Sequence, residues 1–330
     1  FCNKLWNACR FRQMHGSAGA SPSASVAPPD ACEIEGEIDP SLLTSDDKWI
    51  LLKLDQAIRE IDAAFADYRF NEVTQTLYRF FWSEYCDWYV EASKAVFFGH
   101  NPAQKANTLA VIDFVLSHTL RLFHPFLPFI TEELWHGLGY RQDMPPGQGG
   151  ETIMYAHWPK PLDEDFKAHY GLDESDERFV NAKYELVTQG RNLRREGNIA
   201  SSKRVKFVLK PAGEISPYEA EVIKILLNAE TLEVSAQHQA RKVTPTVHAA
   251  LGELYLPLEG LIDVAAEKAR LTKELARIDG EIEKVQQKLG NPSFTQKVPP
   301  AVLEEHQKRL TDGQAKRQQV QKSLDGLSEA

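Results

Sequence analysis

The last seventy residues or so place apolar side chains three or four positions apart in two runs. The first run contains Val264, Leu271, Leu275, Ile278, Ile282, Val285 and Leu289, and the second contains Leu303, Leu310, Val320, Leu324 and Leu327. The segment 290–300 between them is rich in glycine and proline, which no helix crosses. Because a heptad seam is covered only by another helix, the pattern predicts an antiparallel coiled-coil hairpin over 258–330, with a first helix roughly 40 Å long.

The chain before this arm shows helical periodicity with aromatic-rich faces. It predicts an antiparallel helix bundle over 1–197. The predicted helix starts are Thr44 with Asp47, Asn71, Asn101 before Pro102, Pro125 with Pro128, and Glu174. Residues 1–11 have the spacing of the end of a helix, and the Gly-, Ala-, Ser- and Pro-rich segment within 12–40 predicts a flexible loop.

Between bundle and arm the pattern changes to period two. Residues 205–209, 231–234 and 253–256 read as strands, and 217–228 reads as a helix. This alternation predicts a small α/β connector over 198–257. The predicted fold class is therefore mainly α, with an antiparallel helix bundle, a small α/β connector and a C-terminal antiparallel coiled-coil hairpin.

The charge of the chain argues against a protein that coats nucleic acid by bulk attraction, since 330 residues carry a net charge of −9. Contact with a phosphate backbone would need local basic patches. One stretch qualifies: Arg191, Arg194, Arg195, Lys203, Arg204, Lys206 and Lys210 occur with Glu196 as the single acid among them. The same stretch also fits a solvated helix end with cations near its C-terminus, and the sequence leaves both interpretations open.

No catalytic motif is found. The chain has no H-E-x-x-H, P-loop, G-x-G-x-x-G or G-x-S-x-G pattern, and Glu133 with His136 is a single E-x-x-H pair where di-metal bundles need two. We therefore expect no catalytic residue and no metal site. The four cysteines show no C-x-x-C pairing, and no apolar run approaches about 20 residues, which together favour a cytoplasmic protein with reduced thiols.

The arm offers one specific hypothesis about phosphate binding. If Leu289 faces Leu303 and Ile282 faces Leu310, then Lys284 and Arg309 lie at almost the same height beside the seam. Two adjacent cations on a rigid arm could clamp a phosphate. The alternative is that both are ordinary solvated flank residues of a coiled coil.

Several segments closely resemble the anticodon-binding domain and C-terminal arm of bacterial-type valyl-tRNA synthetases. The segments are 3–11 (NKLWNACRF), 69–91 (RFNEV through FFWSEYCDWYVE), 124–135 (HPFLPFITEELW), 256–263 (LPLEGLID) and the break at 291–299. The resemblance covers nearly the whole chain. The HIGH and KMSKS signatures that hold ATP in that family are missing from this sequence.

This resemblance implies the tRNA-recognition portion of a valine–tRNA ligase, without the catalytic and editing domains. It implies valine tRNA as partner, a monomer, and no cofactor in this fragment, with ATP and magnesium expected for the full-length enzyme. It places Arg10 and Trp49 near the anticodon, with Trp49 stacking on a base, and it places the arm cations Lys284 and Arg309 at the outer corner of the tRNA. Arg191, Arg194 and Arg195 remain further tRNA-binding candidates. The alternatives are a free-standing tRNA-binding module and a structural coiled-coil protein that dimerises through its seam.

Overall fold

The structure is a computed structural model. It describes residues 1–16, 38–140, 152–239, 244–257 and 264–290, together with separate positions between 303 and 321, and in the arm it describes side chains from Thr272 onward. Within these ranges, no helix is long and apolar enough to cross a membrane.

Five helices form the bundle. They are α1 (Cys2–Gly16), α2 (Ser45–Ala66), α3, which comprises three consecutive segments between Phe70 and Phe98, α4 (Pro102–Phe123) and α5 (Pro128–Leu138). The predicted caps of α2 and α4 are confirmed. Thr44 and Asp47 form a reciprocal capping box, and the Asn101 side chain accepts hydrogen bonds from the first backbone amides of α4.

The third helix contains an unusually long π-helical stretch. Phe70–Tyr78 and Val90–Phe98 are α-helical, and Arg79–Tyr89 between them is π-helical. This wider stretch carries Phe80, Phe81, Tyr85 and Tyr89, whose side chains are all buried in the bundle core. Tyr85 and Tyr89 are thus core residues, as expected for the aromatic-rich faces of the predicted bundle.

Two expected boundaries are wrong. α3 begins at Phe70 with Arg69 as its preceding residue, so Asn71 lies inside the helix and does not cap it. Tyr68, in the left-handed region at φ 55°, turns the chain into α3 before Asn71 is reached. The predicted loop does not start at residue 12 either, because α1 continues to Gly16 and Arg12 binds Asp113 of α4 at 2.5–2.6 Å.

The chain re-enters the bundle at Ile38, which is buried, and Asp39 donates its backbone N–H to Asn107 of α4. Residues 17–37 of the predicted loop lie outside the described residues. The short helix α6 (Glu164–Tyr170) and the long helix α7 (Glu174–Glu196) then lead to the connector. The predicted helix start at Glu174 is confirmed.

The connector is a four-stranded sheet with one crossover helix. Its elements are β1 (Val205–Pro211), α8 (Pro217–Leu226), β2 (Ala229–Val234), β3 (Thr246–Ala249) and β4 (Gly252–Tyr255). The strand order is β2-β1-β4-β3; β1 and β2 are parallel across α8, and β4 pairs antiparallel with both β1 and β3. Strand β3 is not among the predicted strands.

Bundle and connector share one hydrophobic core, so residue 197 is not a structural division between them. At its centre lies the ammonium group of Lys183 on α7, which is fully buried. It donates to Asp46 of α2 at 2.8 Å and to Glu219 of α8 at 2.6 Å. Tyr184 and Tyr218 donate their hydroxyls to the same Asp46, at 2.5 and 2.8 Å. This polar network joins α2, α7 and α8 because each buried charge needs the others.

The arm begins with α9 (Val264–Leu289), and the described positions between 303 and 321 are helical as well. Asp279 receives a hydrogen bond from Arg317 at 2.5 Å, while Ile282 lies against Gly313. A higher number on one segment meets a lower number on the other, so the two segments run antiparallel. The predicted fold class is confirmed.

Candidate nucleic-acid interface

The two ends of α3 carry exposed aromatic side chains in opposite electrostatic surroundings. The helix spans Phe70 to Phe98, roughly 40 Å. At its C-terminal end Phe98 is 68% exposed. We call the surface around it the distal surface and define it by His15, Lys94, Phe98, His100 and Lys105.

The distal surface gathers a lysine from each of α3 and α4 and a histidine from α1. His15 of α1 stacks on Phe97, the neighbour of Phe98, at a ring distance of 4.3 Å. Burial lowers the pKa of His15 below its ordinary value, and the ammonium groups of Lys105 and Lys94 lower it further. Lys94 is paired with Glu91, but Lys105 forms no ion pair with any described carboxylate. An exposed aromatic ring flanked by such cations is the combination that suits a splayed base and its phosphate.

The opposite end of the bundle is also aromatic, but the arginine beside its exposed rings is paired with acids. Phe129 in the first turn of α5 is 90% exposed, and Tyr68 and Phe70 are exposed at the junction of α2 and α3. The arginine there, Arg69, is held by the carboxylates of Asp67 and Glu72. A phosphate approaching this end would meet acids first, so the distal surface is the better RNA surface of the two.

Arg10 is exposed on α1, and no ion pair or hydrogen bond of its side chain is found in the described part of the chain. The helix runs from Phe1, next to Phe123 at the Phe129 end, to His15 at the distal surface. Arg10 lies one turn before Met14, which is also exposed. Its exposure and position suit the RNA contact predicted for it, which stays a prediction.

Trp49 does not suit its predicted role. Its side chain is only 2% exposed, its indole N–H donates to Asn181 at 2.9 Å, and its ring meets Tyr184 edge to face. α7 covers the face that would have to receive a base. The expectation that Trp49 stacks on an anticodon base is therefore wrong for this fold; Trp49 is a core residue that fastens α2 to α7.

Two of the three predicted arginines on α7 hold the protein together. Arg194 is buried and donates to the carbonyls of five residues: Ala200, Ser201, Lys203, Leu227 and Asn228. Arg191 donates twice to the carbonyl of Leu226 and lies over the Trp88 ring at 5.1 Å. Because Arg194 is buried and both terminal nitrogens of its guanidinium donate to carbonyls, a direct phosphate contact by Arg194 is contradicted. Arg191 and Arg195 are both exposed, but Arg195 has no such backbone partner: its described partner is the amide oxygen of Asn192.

The arm register differs from the one that the clamp hypothesis assumes. Ile282 was predicted to face Leu310, but it lies against Gly313, three residues further along the second segment. In this register Lys284 lies opposite the described positions 311 and 312, both exposed. Arg309 itself lies outside the described residues. The side-by-side placement of Lys284 and Arg309 therefore stays a prediction.

Lys284 instead belongs to a line of cations along α9. Lys273, Arg277, Lys284 and Lys288 are all exposed, and at 100° per residue they fall within about 60° of one another around the helix. Ile278 and Val285, which are buried in the seam, lie on a different side. Arg277 pairs with Glu281, while the other three form no ion pair with a described carboxylate. A straight cationic line of this kind follows a phosphate backbone better than an isolated pair does.

The candidate metal pair has ordinary partners. His136 contacts Glu132 at 2.8 Å and not Glu133, and the described residues contain no group of three metal-binding side chains. His118 contacts the carbonyl of Phe114, and its burial lowers its pKa to about 3. His124 contacts the Thr131 hydroxyl.

Sequence reasoning missed Phe98 and Lys105 as candidates. The local signal was present, because Phe98 precedes the turn Gly99-His100-Asn101 at the end of an apolar helix face. What the sequence does not contain is the approach of α1, which brings His15 to the same end.

Two family models match this chain over adjacent regions. Residues 47–209 match the anticodon-binding domain of tRNA ligases, and residues 263–328 match the valyl tRNA synthetase tRNA binding arm. The first match extends through α7 and most of β1, in agreement with the shared core of bundle and connector. Both matches agree with the resemblance that the sequence motifs indicate.

Full-length relatives give the same result. The valine–tRNA ligase of Bacillus subtilis (strain 168) is 34% identical over 99% of this chain, which corresponds to 34% of that protein. The valine–tRNA ligase of Xanthomonas campestris pv. campestris (strain B100) is 37% identical over 94% of this chain and 31% of its own length. The chain thus spans about a third of the length of the curated relatives it matches.

Proposed function

Because this chain belongs to the valyl-tRNA synthetase family, with its anticodon-binding domain and its tRNA binding arm, we propose that it is the tRNA-recognition portion of a valine–tRNA ligase. Its partner is then valine tRNA, bound in the cytoplasm by a single copy of the chain. The attachment of valine, with ATP and magnesium, is the proposed activity of the complete ligase, and no residue of this chain is assigned to that chemistry.

The observation that carries the proposal is the electrostatic difference between the two ends of α3. The distal surface combines exposed Phe98 with Lys105, His15 and His100, whereas the Phe129 end has its arginine neutralised. We assign the anticodon to the distal surface, with Arg10 beside it. The cationic line that includes Lys284 is assigned to the outer corner of the same tRNA, as a backbone contact.

The decisive test compares tRNAs. Binding of the chain to a valine-accepting transcript is measured at fixed salt against transcripts for isoleucine and alanine, together with a valine transcript whose anticodon is replaced. We expect the valine transcript to bind most tightly and the anticodon change to weaken binding. Equal affinity for all four RNAs, with the protein folded by circular dichroism, would contradict the proposal.

A matched pair of variants tests the assignment to the distal surface. Phe98→Ala and Phe129→Ala each remove one exposed phenylalanine, at opposite ends of the bundle. Since a base stacked on an aromatic ring contributes about 1–3 kcal/mol, Phe98→Ala should weaken binding of an isolated anticodon stem-loop by roughly tenfold or more, and Phe129→Ala should not. The reverse result would assign the anticodon to the other end.

The structural coiled-coil alternative is disfavoured by the arm itself. Asp279 and Ile282 meet Arg317 and Gly313 of the same chain, so these parts of the seam are covered within one molecule. Sedimentation equilibrium should give a monomer at micromolar concentration. A stable dimer that dissociates when Ile278 is replaced would favour the alternative.

A further inference from the structure

The basic stretch 191–210 contains two kinds of cation. Some bind other groups of the protein, and others are exposed and form no ion pair with a described carboxylate. Arg191 and Arg194 bind backbone carbonyls, and Lys210 pairs with Glu253 at 3.6 Å. Arg195, Arg204 and Lys206 are exposed, and none of the three forms an ion pair with a carboxylate in the described ranges. We call these three residues the connector patch.

The contrast with the neighbouring bundle surface makes the patch unusual for an acidic protein. Where α7 crosses α2, cations and acids are matched: Lys48 pairs with Asp176, and Lys53 pairs with Glu177. The chain carries 47 acids against 38 lysines and arginines, so acids are not scarce. Three exposed cations left without such partners are therefore a local excess of positive charge.

The backbone beneath the patch is fixed by buried hydrogen bonds. Arg194 donates to the carbonyls of Ala200, Ser201 and Lys203, which holds the whole turn between α7 and β1. The side-chain amide of Asn228 donates to the same carbonyl of Ser201 at 2.8 Å. Lys206 lies on the central strand β1, in register with Thr231 of β2. The cations therefore start from positions that are already ordered before a ligand binds, which lowers the entropy lost on binding.

The end of α7 would otherwise repel an anion. A helix C-terminus carries partial negative charge on its free carbonyls. Here the buried guanidinium of Arg194 binds carbonyls of the turn that follows the helix and offsets that charge. Ser201, Ser202 and Asn198 are exposed on this turn and add neutral hydrogen-bond donors among the cations. Cations with hydroxyl and amide donors are the usual set for phosphate oxygens.

We propose that the connector patch is a backbone-phosphate contact for RNA, additional to the distal surface and the arm. This inference rests on the proposed function, since it takes the same tRNA as the ligand. α8 packs against Val90–Phe98 of α3, so the connector lies beside the part of α3 that leads to the distal surface. The patch offers no exposed aromatic ring or base-reading pair, so it contributes affinity and orientation but no discrimination between tRNAs. Arg194 is a positioning residue for it.

The test compares two triple variants that remove the same charge. Arg195→Gln/Arg204→Gln/Lys206→Gln neutralises the patch. Arg178→Gln/Lys224→Gln/Lys160→Gln neutralises three cations elsewhere, of which Arg178 and Lys160 are exposed and Lys224 is half-buried. For each protein, tRNA affinity is measured by fluorescence anisotropy between 50 and 300 mM KCl, with a valine transcript and an alanine transcript. Circular dichroism and thermal melting check that both variants fold.

We expect the patch variant to flatten the slope of log K against log salt by about two units, at roughly 0.7–0.9 per phosphate contact. The loss of affinity should be the same factor for both transcripts. The control variant should keep the wild-type slope. Equal slopes for the two variants, or a loss confined to the valine transcript, would overturn the inference. A wild-type protein that binds no tRNA would overturn the proposed function itself, which is a different result.

A single substitution tests whether Arg194 positions the connector patch or only stabilises the fold. Arg194→Lys keeps the charge but cannot reach the carbonyls of Ala200, Ser201 and Lys203 together. We expect it to reduce the salt slope of the otherwise wild-type protein and to leave the slope of the patch variant unchanged. An equal reduction in both backgrounds would contradict the positioning role.

Discussion

Bundle and connector are held together by side chains from distant parts of the chain, whereas the described arm is held along one apolar seam. Lys183, Asp46 and Glu219 come from three elements and meet in one buried network. In the arm, Ile278 and Val285 supply the buried side chains, with Asp279–Arg317 as an ion pair at the edge. We call bundle and connector together the body. The cations of the body are therefore placed by tertiary contacts, and those of the arm are placed by helical periodicity.

Lys183→Met should produce the largest difference in stability between the body and the arm. The substitution removes the ammonium group and leaves Asp46 and Glu219 buried without a counter-charge, so the free energy of unfolding should fall by about 3–5 kcal/mol. Urea denaturation followed by circular dichroism measures it. Hydrogen exchange in α9 should not change, because the network does not extend into the arm.

The matched control is Lys224→Met, which breaks the exposed pair with Glu221 on α8. Since exposed pairs contribute about 0–1 kcal/mol, this variant should unfold close to wild type. If both variants lost the same small amount, the buried network would not be what joins bundle and connector.

The difference between local patterns and tertiary contacts explains which features of the structure could be predicted from the sequence. The seam of the arm, the capping box at Thr44 and the helix start at Pro102 depend on neighbours within a few residues, and each could be predicted. Trp49 and Arg194 depend on α7 and on the turn at 200–203, which no local pattern reveals. An exposed aromatic or basic residue in a one-dimensional sequence looks the same whether or not a distant helix covers it.

The same reason explains the errors in register and in the candidate site. A heptad pattern tolerates a shift by one helical turn, because the seam stays apolar; hence Ile282 meets Gly313 where Leu310 was predicted. At the distal surface, the imidazole of His15 joins Phe98 and the two lysines only because α1 brings His15 next to Phe97. Family resemblance identified the partner correctly as a class, but it did not identify which side chains are free to contact it.

Gly190→Ala on α7 should destabilise the body. A Cβ at this position would lie 2.6 Å from Leu227 Cδ2 and 2.7 Å from Leu254 Cδ2, so both leucines of the connector core must shift. Overpacking of this kind costs about 1–3 kcal/mol, with the lower end applying because the contacts are the ends of flexible side chains. Thermal melting with calorimetry measures it. An unchanged or raised melting temperature would mean that the interface between α7 and the connector is looser than described.

Acid should weaken the body through His118 on α4. Burial and the nearby Arg121 hold its pKa at about 3, against an ordinary value of 6.5. Below pH 6.5 the unfolded chain binds a proton that the folded chain does not, so stability falls as pH drops from 6.5 towards 3, by on the order of 1 kcal/mol per pH unit.

His118→Leu removes this titration and should make the pH dependence of urea midpoints shallower over the same range. Residues 264–290 contain no histidine, so hydrogen exchange within α9 should show no matching difference between the two proteins. Parallel pH profiles for wild type and variant would contradict the assignment.

Gly280→Ala should have the smallest effect on stability, and it should stabilise the arm where Gly190→Ala destabilises the body. Gly280 lies within α9, and a Cβ there would meet no atom within 4 Å in the described structure. Alanine in an open helical position stabilises the helix by about 0.5–1 kcal/mol relative to glycine. Slower hydrogen exchange between Ile278 and Val285 would report the gain, with the melting temperature of the body unchanged. A destabilising result would mean that this face of α9 is covered in solution. The exposed cationic line, whose members Arg277 and Lys284 flank Gly280, would then lie beside that covered face.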